Sequence, residues 1–254
     1  MKALIFAAGL GTRLKPITDS LPKALVPVGG KPLIEHVSRK LHAAGVESVV
    51  VNVHHFADMV EEWTLRQDIM PVQVSDERDR LLETGGGILH ARPYLEGCGR
   101  FLIHNVDIIS DLDLAWFESK FIDGALSTLL VSERKTSRYL LFAPDTMRLV
   151  GWTDISKGEI RSPYPDLDPA ECRMLAFSGI HVMSDTAFDV MEEYARTKGL
   201  YDEKEMPRFP IMDFYLSVCA AYEIYGVVAE DLHLVDVGKL DSLETAEKMI
   251  NDIL

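Results

Sequence analysis

Apolar residues along the chain fall into two rhythms. Ala3 to Ala7 is an unbroken apolar run of strand length that ends near Gly9, and Val49 to Val53 is a second, rich in β-branched residues. Runs of this kind predict strands covered on both faces. Between them Leu33, Ile34, Val37, Leu41 and Ala44 recur at helical spacing, with Pro32 near the first turn and Gly45 just past the end. The three segments make a strand-helix-strand unit. The same reasoning predicts a helix from about Ala57 to Arg66, a strand around Val72 to Val74, a helix from Gly87 towards Arg92 and a buried strand at Phe101 to His104. Periodicity weakens from Asp145 to Cys172, which is rich in Pro, Gly and Asp and predicts turns passing over a site. Regular signals return as a strand at Leu175 to Met183, helices over Asp185 to Thr197 and Ile211 to Ala221, a strand at Glu223 to Val228 and a helix from Ser242 to Leu254. Helix and strand in alternation imply an α/β fold, a three-layer, Rossmann-like and mainly parallel sheet with helices on both faces.

Length and composition narrow the function. A chain of 254 residues, 47% hydrophobic, is long enough for one sizeable domain, and no linker or repeat forces a boundary. The formal net charge of −14 argues against nucleic acid as a partner. Any anionic ligand has to be caught locally. Cys98, Cys172 and Cys219 are scattered and lack metal-ligand spacing, so neither a disulfide framework nor a zinc site is expected, and a reducing cytoplasm fits. No apolar run approaches the roughly 20 residues of a membrane span.

The first strand leads into A-A-G-L-G-T-R-L. A dinucleotide-binding turn needs G-x-G-x-x-G, and the sixth position here is Leu14; a P-loop is also absent. What remains is a glycine turn whose backbone N–H groups face a phosphate chain beside Arg13, or a plain strand-to-loop turn.

The longer run A-A-G-L-G-T-R-L-x-P-x-T, followed by L-P-K-A-L-V-P-V-G-G-K-P-L-I-E, resembles the N-terminal signature of the sugar-phosphate nucleotidyltransferases. The match runs from Met1 to about Glu35, with weaker agreement beyond. The resemblance implies that Ala8, Gly9, Gly11 and Thr12 line the nucleotide, that Arg13 holds the β and γ phosphates and that Lys23 sits near the α-phosphate. Two polyanions brought together require that kind of fixed positive charge.

A second motif is L-L-E-T-G-G-G-I, Leu81 to Ile88. Each glycine entering a helix costs about 1 kcal/mol relative to alanine, so something needs close approach there. In the family this loop contacts nucleobase and ribose, which implicates Glu83, Thr84, Gly85 and Gly86. Glu83 before T-G-G-G looks most like the N-acetylmuramate 1-phosphate uridylyltransferase branch, with similar loops in guanylyltransferases of mannose and heptose 1-phosphates. N-V-D-I follows the strand at Phe101 to His104. It implies Asn105 on the substrate and Asp107 as a magnesium ligand, although Val106 stands where the family has glycine. L-V-D-V-G, Leu234 to Gly238, resembles the second metal motif and makes Asp236 the partner ligand. F-S-G-I-H-V, Phe177 to Val182, implies Gly179 and His181 at the sugar. The family's Glu-Lys-Pro segment is missing, and Lys157 reads as a solvated loop lysine. His54 and His55 read as loop residues, Asp111 and Asp113 as loop and cap residues.

The resemblance therefore implies a nucleotide-binding part over about 1–115 and a sugar-binding part over about 116–240 of one domain. Its expected reaction is Mg2+-dependent transfer of a nucleotidyl group from a nucleoside triphosphate to a sugar 1-phosphate, releasing pyrophosphate. No appended acyltransferase β-helix is expected. The alternatives are a catalytically silent nucleotide-sugar-binding regulatory subunit and a phosphocholine cytidylyltransferase.

Overall fold

A computed structural model of the chain describes residues 1–201 and 206–253. β1 (Lys2–Phe6) ends in the glycine turn, and a hairpin of β2 (Pro27–Val28) and β3 (Lys31–Pro32) leads into α1 (Leu33–Ala43). Next come β4 (Ser48–Val53), α2 (Ala57–Arg66), β5 (Val72–Asp76), α3 (Glu83–His90), α4 (Arg92–Leu95), β6 (Arg100–Asn105), β7 (Ile108–Ser110) and α5 (Leu114–Glu118). The remainder is β8 (Ser127–Ser132), β9 (Arg138–Phe142), β10 (Leu149–Asp154), β11 (Glu159–Arg161), β12 (Arg173–Ser184), α6 (Ala187–Thr197), α7 (Ile211–Val218), β13 (Ile224–Val228), β14 (Leu234–Asp236) and α8 (Leu240–Ile253). None of these helices is long and apolar enough to cross a membrane.

β5, β4, β1 and β6 lie side by side and parallel, with Leu4 opposite both Val50 and Ile103. β12 then runs antiparallel to β6, β8 antiparallel to β12, and β13 parallel to β8, so β12 alone is reversed in this series. The first residues of β12 pair instead with β9, which continues through β10 to β11 as an antiparallel extension. This extension overturns the expectation of irregular turns from Asp145 to Cys172. Its strands are short, and β11 is exposed along its whole length, so they lack the apolar runs that mark a covered strand.

Alternate strand residues feed two cores. Ala3, Ile5, Val49, Val51 and Leu102 pack beneath α1, α2, α5 and α8, while Leu4, Val50, Phe101 and Ile103 pack beneath α3, α4, α6 and α7. Three layers result. Their parallel strands all end at one edge, where the loops after β1, β5 and β6 meet; ligands of open α/β sheets bind at such an edge.

Candidate active site

A cleft of about 370 Å³ opens at that edge, and Ala8, Gly9, Lys23, Glu83, Thr84, Asn105 and Asp107 all line it. These residues come from three separate segments, the loop after β1, the first turn of α3 and the end of β6 with the turn beyond it. The first loop curls because Gly11 takes a left-handed φ of 62°, where a Cβ would lie 2.8 Å from Thr18 Cγ2 and 3.1 Å from Lys23 Cβ. Thr18 Oγ1 donates to the Gly11 carbonyl at 2.8 Å. The curl sets Lys23 into the cleft and leaves Thr12 and Arg13 exposed on the turn above. Gly9 has open space on its Cβ side. The Ala8 N–H is already engaged by Asn52 Oδ1 at 3.2 Å, so it is not a free donor for a phosphate.

Lys23 Nζ pairs with Asp107 Oδ2, with both side chains mostly covered. β7 and β14 pair antiparallel, with Asp236 opposite Ile108, and Val237 N–H donates to the Asp107 carbonyl at 2.8 Å. That small ribbon brings the two aspartates together. Asp236 keeps an open edge, yet the protein packed around it and then the negative charge of Asp107 push its carboxyl above the usual range, against the pull of Lys23 and Arg13. Arg13 meets Asp236 over Gly238: a Cβ there would sit 2.5 Å from Arg13 Nη2 and 2.7 Å from Asp236 Oδ1. Two cations and two carboxylates thus converge at the mouth of the cleft. Val106 has no positive φ and is 3% exposed, with its bulk in the core under α1, so the backbone here does not require glycine.

The glycine run of α3 serves a different purpose from the one expected. A Cβ on Gly85 would strike the Phe209 ring, and one on Gly86 would strike the Pro207 carbonyl. Gly85 and Gly86 also give their N–H groups to Phe209 O, at 2.8 and 3.2 Å. The close neighbour is therefore the protein's own 207–209 segment, and neither glycine presents free backbone to a base. Thr84 Oγ1 accepts from Ile211 N at 2.8 Å, capping α7. Glu83, with a φ of 62°, pairs with Arg208 at 2.8 Å. That strained conformation sits on the cleft wall, where such residues tend to gather.

His181 departs from expectation as well. It is 1% exposed and its Nδ1 bonds to Tyr215 Oη at 2.6 Å, so it belongs to the core and does not border an open sugar pocket. Burial pulls its pKa down to about 3. Gly179, φ 75°, lies at the irregularity in the β8–β12 pairing, and a Cβ there would be 2.8 Å from Asn105 Nδ2. It shapes the cleft through Asn105. Asp113 caps α5 by accepting from Trp116 N at 2.9 Å, and Asp111 pairs with His233 at 2.7 Å. Lys157 is exposed in a turn. His54 Nδ1 contacts the Glu77 carbonyl at 2.7 Å, and the His55 ring lies against Phe56, tilted by 46°.

Two residues at the cleft were not anticipated, Asn52 in its wall and Glu77 behind it. Burial raises the Glu77 pKa, opposed by hydrogen bonds from Asn52 and Leu82. An asparagine inside an otherwise apolar strand, V-V-V-N-V, was the available signal.

The chain matches the family model described as Nucleotidyl transferase over residues 2–148, more than half its length. It belongs to the nucleotidyltransferase family. It is 50% identical over 111 residues to N-acetylmuramate alpha-1-phosphate uridylyltransferase of Caulobacter vibrioides, covering 42% of this chain and 46% of that protein. It is 38% identical over 115 residues to mannose-1-phosphate guanylyltransferase catalytic subunit beta of Xenopus tropicalis, covering 44% of this chain and 32% of the relative. The aligned part spans half or less of these relatives. Among solved structures, a glucose-1-phosphate thymidylyltransferase described as putative, from Bacillus anthracis, superposes with a TM-score of 0.78 at 19% identity over 100% of this chain and 96% of its own. UDP-glucose pyrophosphorylase bound to UDP-glucose gives 0.75 at 17% identity over 99% and 98%. Both share the fold of this nucleotidyltransferase.

Proposed function

We propose that this nucleotidyltransferase moves a nucleotidyl group from a nucleoside triphosphate to a sugar 1-phosphate. An oxygen of the sugar phosphate forms a bond to the α-phosphorus, the α–β bridging P–O bond breaks, and pyrophosphate leaves with those electrons. The attacking phosphate is already ionised at neutral pH, so the protein has to position and neutralise rather than remove a proton. The observation that carries this reading is the convergence of Lys23, Asp107, Asp236 and Arg13 at one end of the cleft.

Each group has a task that its position supports. Lys23, inside the cleft, offsets charge growing on the transferring phosphoryl group. Arg13, outside it, holds the departing phosphates through its planar fork of donors. Asp107 and Asp236 suit Mg2+: they are hard oxygen donors held together, and burial and then the charge of Asp107 raise the Asp236 pKa, a combination that a bound cation would relieve. They would hold the ion, which when bound supplies Lewis-acid polarisation of the phosphate oxygens. Glu83 and Thr84, which line the same cleft, would border the nucleotide. The Caulobacter relative supports UTP and N-acetylmuramate 1-phosphate as the substrate pair, ahead of GTP with mannose or heptose 1-phosphate.

The test is pyrophosphate release from UTP, GTP, CTP and dTTP with magnesium, against N-acetylmuramate, mannose, heptose and glucose 1-phosphates and phosphocholine. UTP with N-acetylmuramate 1-phosphate is expected to turn over fastest. Nucleotide binding with no turnover on any acceptor would replace this reading with that of a silent nucleotide-binding subunit.

A further inference from the structure

The carboxylate of Glu77 lies behind the cleft, 2% exposed, and the phosphoryl chemistry gives it no part. Its Oε1 accepts from Asn52 Nδ2 at 2.8 Å and its Oε2 from Leu82 N at 3.1 Å. Asn52 Oδ1 in turn accepts from both Ala7 N, at 2.7 Å, and Ala8 N, at 3.2 Å. The carboxylate decides which way the amide faces. Reversed, Asn52 would point its NH2 at two N–H groups and its oxygen at a carboxylate, and every contact would fail. One buried anion therefore ties the turn after β1 to the loop that begins α3, and both segments line the cleft as two parts of its wall. Gly87 makes room for it: a Cβ would stand 2.8 Å from Glu77 Oε1 and 3.1 Å from Asn52 Nδ2.

We infer that Glu77 is a positioning residue for the nucleotide, acting through the Asn52 amide and the Leu82 N–H to hold these two parts of the cleft wall at their working separation. The inference rests on the reading of the cleft as a nucleotide site. Glu77 touches no substrate, so its contribution falls on nucleotide affinity rather than on the chemical step.

The experiment uses the full chain and measures binding of UTP, GTP, CTP and dTTP with magnesium by calorimetry, steady-state KM and kcat for the productive pair, and the melting temperature of each variant. In Glu77→Gln one carbonyl oxygen faces two donors. Nucleotide Kd and KM are expected to rise about 10- to 100-fold, the scale of a lost charge-assisted hydrogen bond, with kcat changed less than about threefold. Asn52→Asp sets two carboxylates against each other and should behave similarly. The double variant N52D/E77Q exchanges amide and carboxylate between the two positions and restores an acceptor to each donor. The amide NH2 now at position 77 donates to the carboxylate now at position 52, and Leu82 N donates to the amide oxygen. Ala7 N and Ala8 N donate to the second oxygen of that carboxylate. Nucleotide affinity should return to within about threefold of wild type.

A stability defect alone gives neither the KM-against-kcat split nor this rescue. Gly87→Ala, which pushes a methyl against the same pair in a helix that favours alanine, is the independent arm and should also raise KM selectively. Wild-type affinity in E77Q and G87A, or a swap that recovers melting temperature without affinity, would overturn the positioning role alone. A wild-type protein that binds none of the four nucleotides would overturn the nucleotide reading, and this inference with it.

Discussion

Gly85→Ala separates two explanations of the glycine run. If bare backbone served only a ligand, alanine would help the free protein, since it is about 1 kcal/mol better than glycine inside a helix. The packing predicts the reverse. The added methyl would overlap the Phe209 ring and lie 2.9 Å from the Phe209 carbonyl. The ring has little room to retreat, with Tyr194 at 5.2 Å and Phe214 at 6.5 Å between centroids. Overpacking of this kind costs about 1–3 kcal/mol, and a clash with ring and backbone together belongs near 3. After the helix gain, the expected net loss is about 2 kcal/mol. Phe209→Ala, at a site 2% exposed, should cost about 3–5 kcal/mol on its own. In the double variant the ring is gone, so the total should fall short of the sum by about 2 kcal/mol. Urea denaturation of the four proteins reads all of these values. A Gly85→Ala protein as stable as wild type, or costs that add within about 0.5 kcal/mol, would refute the argument.

Lys23→Ala should lower kcat by about 10²–10³ with the fold intact by circular dichroism, and turnover within tenfold of wild type would remove it from the chemistry. Asp107→Asn should lose both activity and the dependence of the remaining rate on magnesium concentration. The unfolded chain protonates His181 near pH 6.5, whereas the folded protein resists until about pH 3. Stability is therefore fully present above 6.5 and falls as pH drops towards 3, by about 3 kcal/mol at pH 4.5 from this residue alone. Chemical denaturation across pH 4–7 should show that slope, reduced in His181→Asn. Thr84→Val removes the acceptor for Ile211 N and should cost about 1 kcal/mol by thermal melting.

The first strand-helix-strand unit was legible because covered parallel strands write long apolar runs, and Leu4, Val50 and Ile103 lie side by side as those runs imply. The bounds of α3 shifted because glycine propensity predicted a later start than the packing allows. That G-G-G needed a close neighbour was also readable. Which neighbour was not, because Phe209 is over a hundred residues away and single-chain periodicity carries no information about distant partners. His181 misled for a related reason: a histidine in a strand looks the same whether it faces a ligand or Tyr215. Asp107 and Asp236 were paired only through resemblance. Their meeting depends on the β7–β14 ribbon, whose three-residue strands leave almost no pattern to read.

That ribbon also orders events in time. Synthesis proceeds from the N-terminus, so Lys23 and Asp107 emerge from the ribosome on the order of 10 s before Asp236 does. For that interval the sheet strands β1, β4, β5 and β6 have already been made, and both partners of the Lys23–Asp107 pair are present without Asp236. The carboxylate pair is completed only when β14 adds to β7, late in the chain. A chain made only as far as β13 therefore carries Lys23 and Asp107 without Asp236, and the carboxylate pair waits for β14.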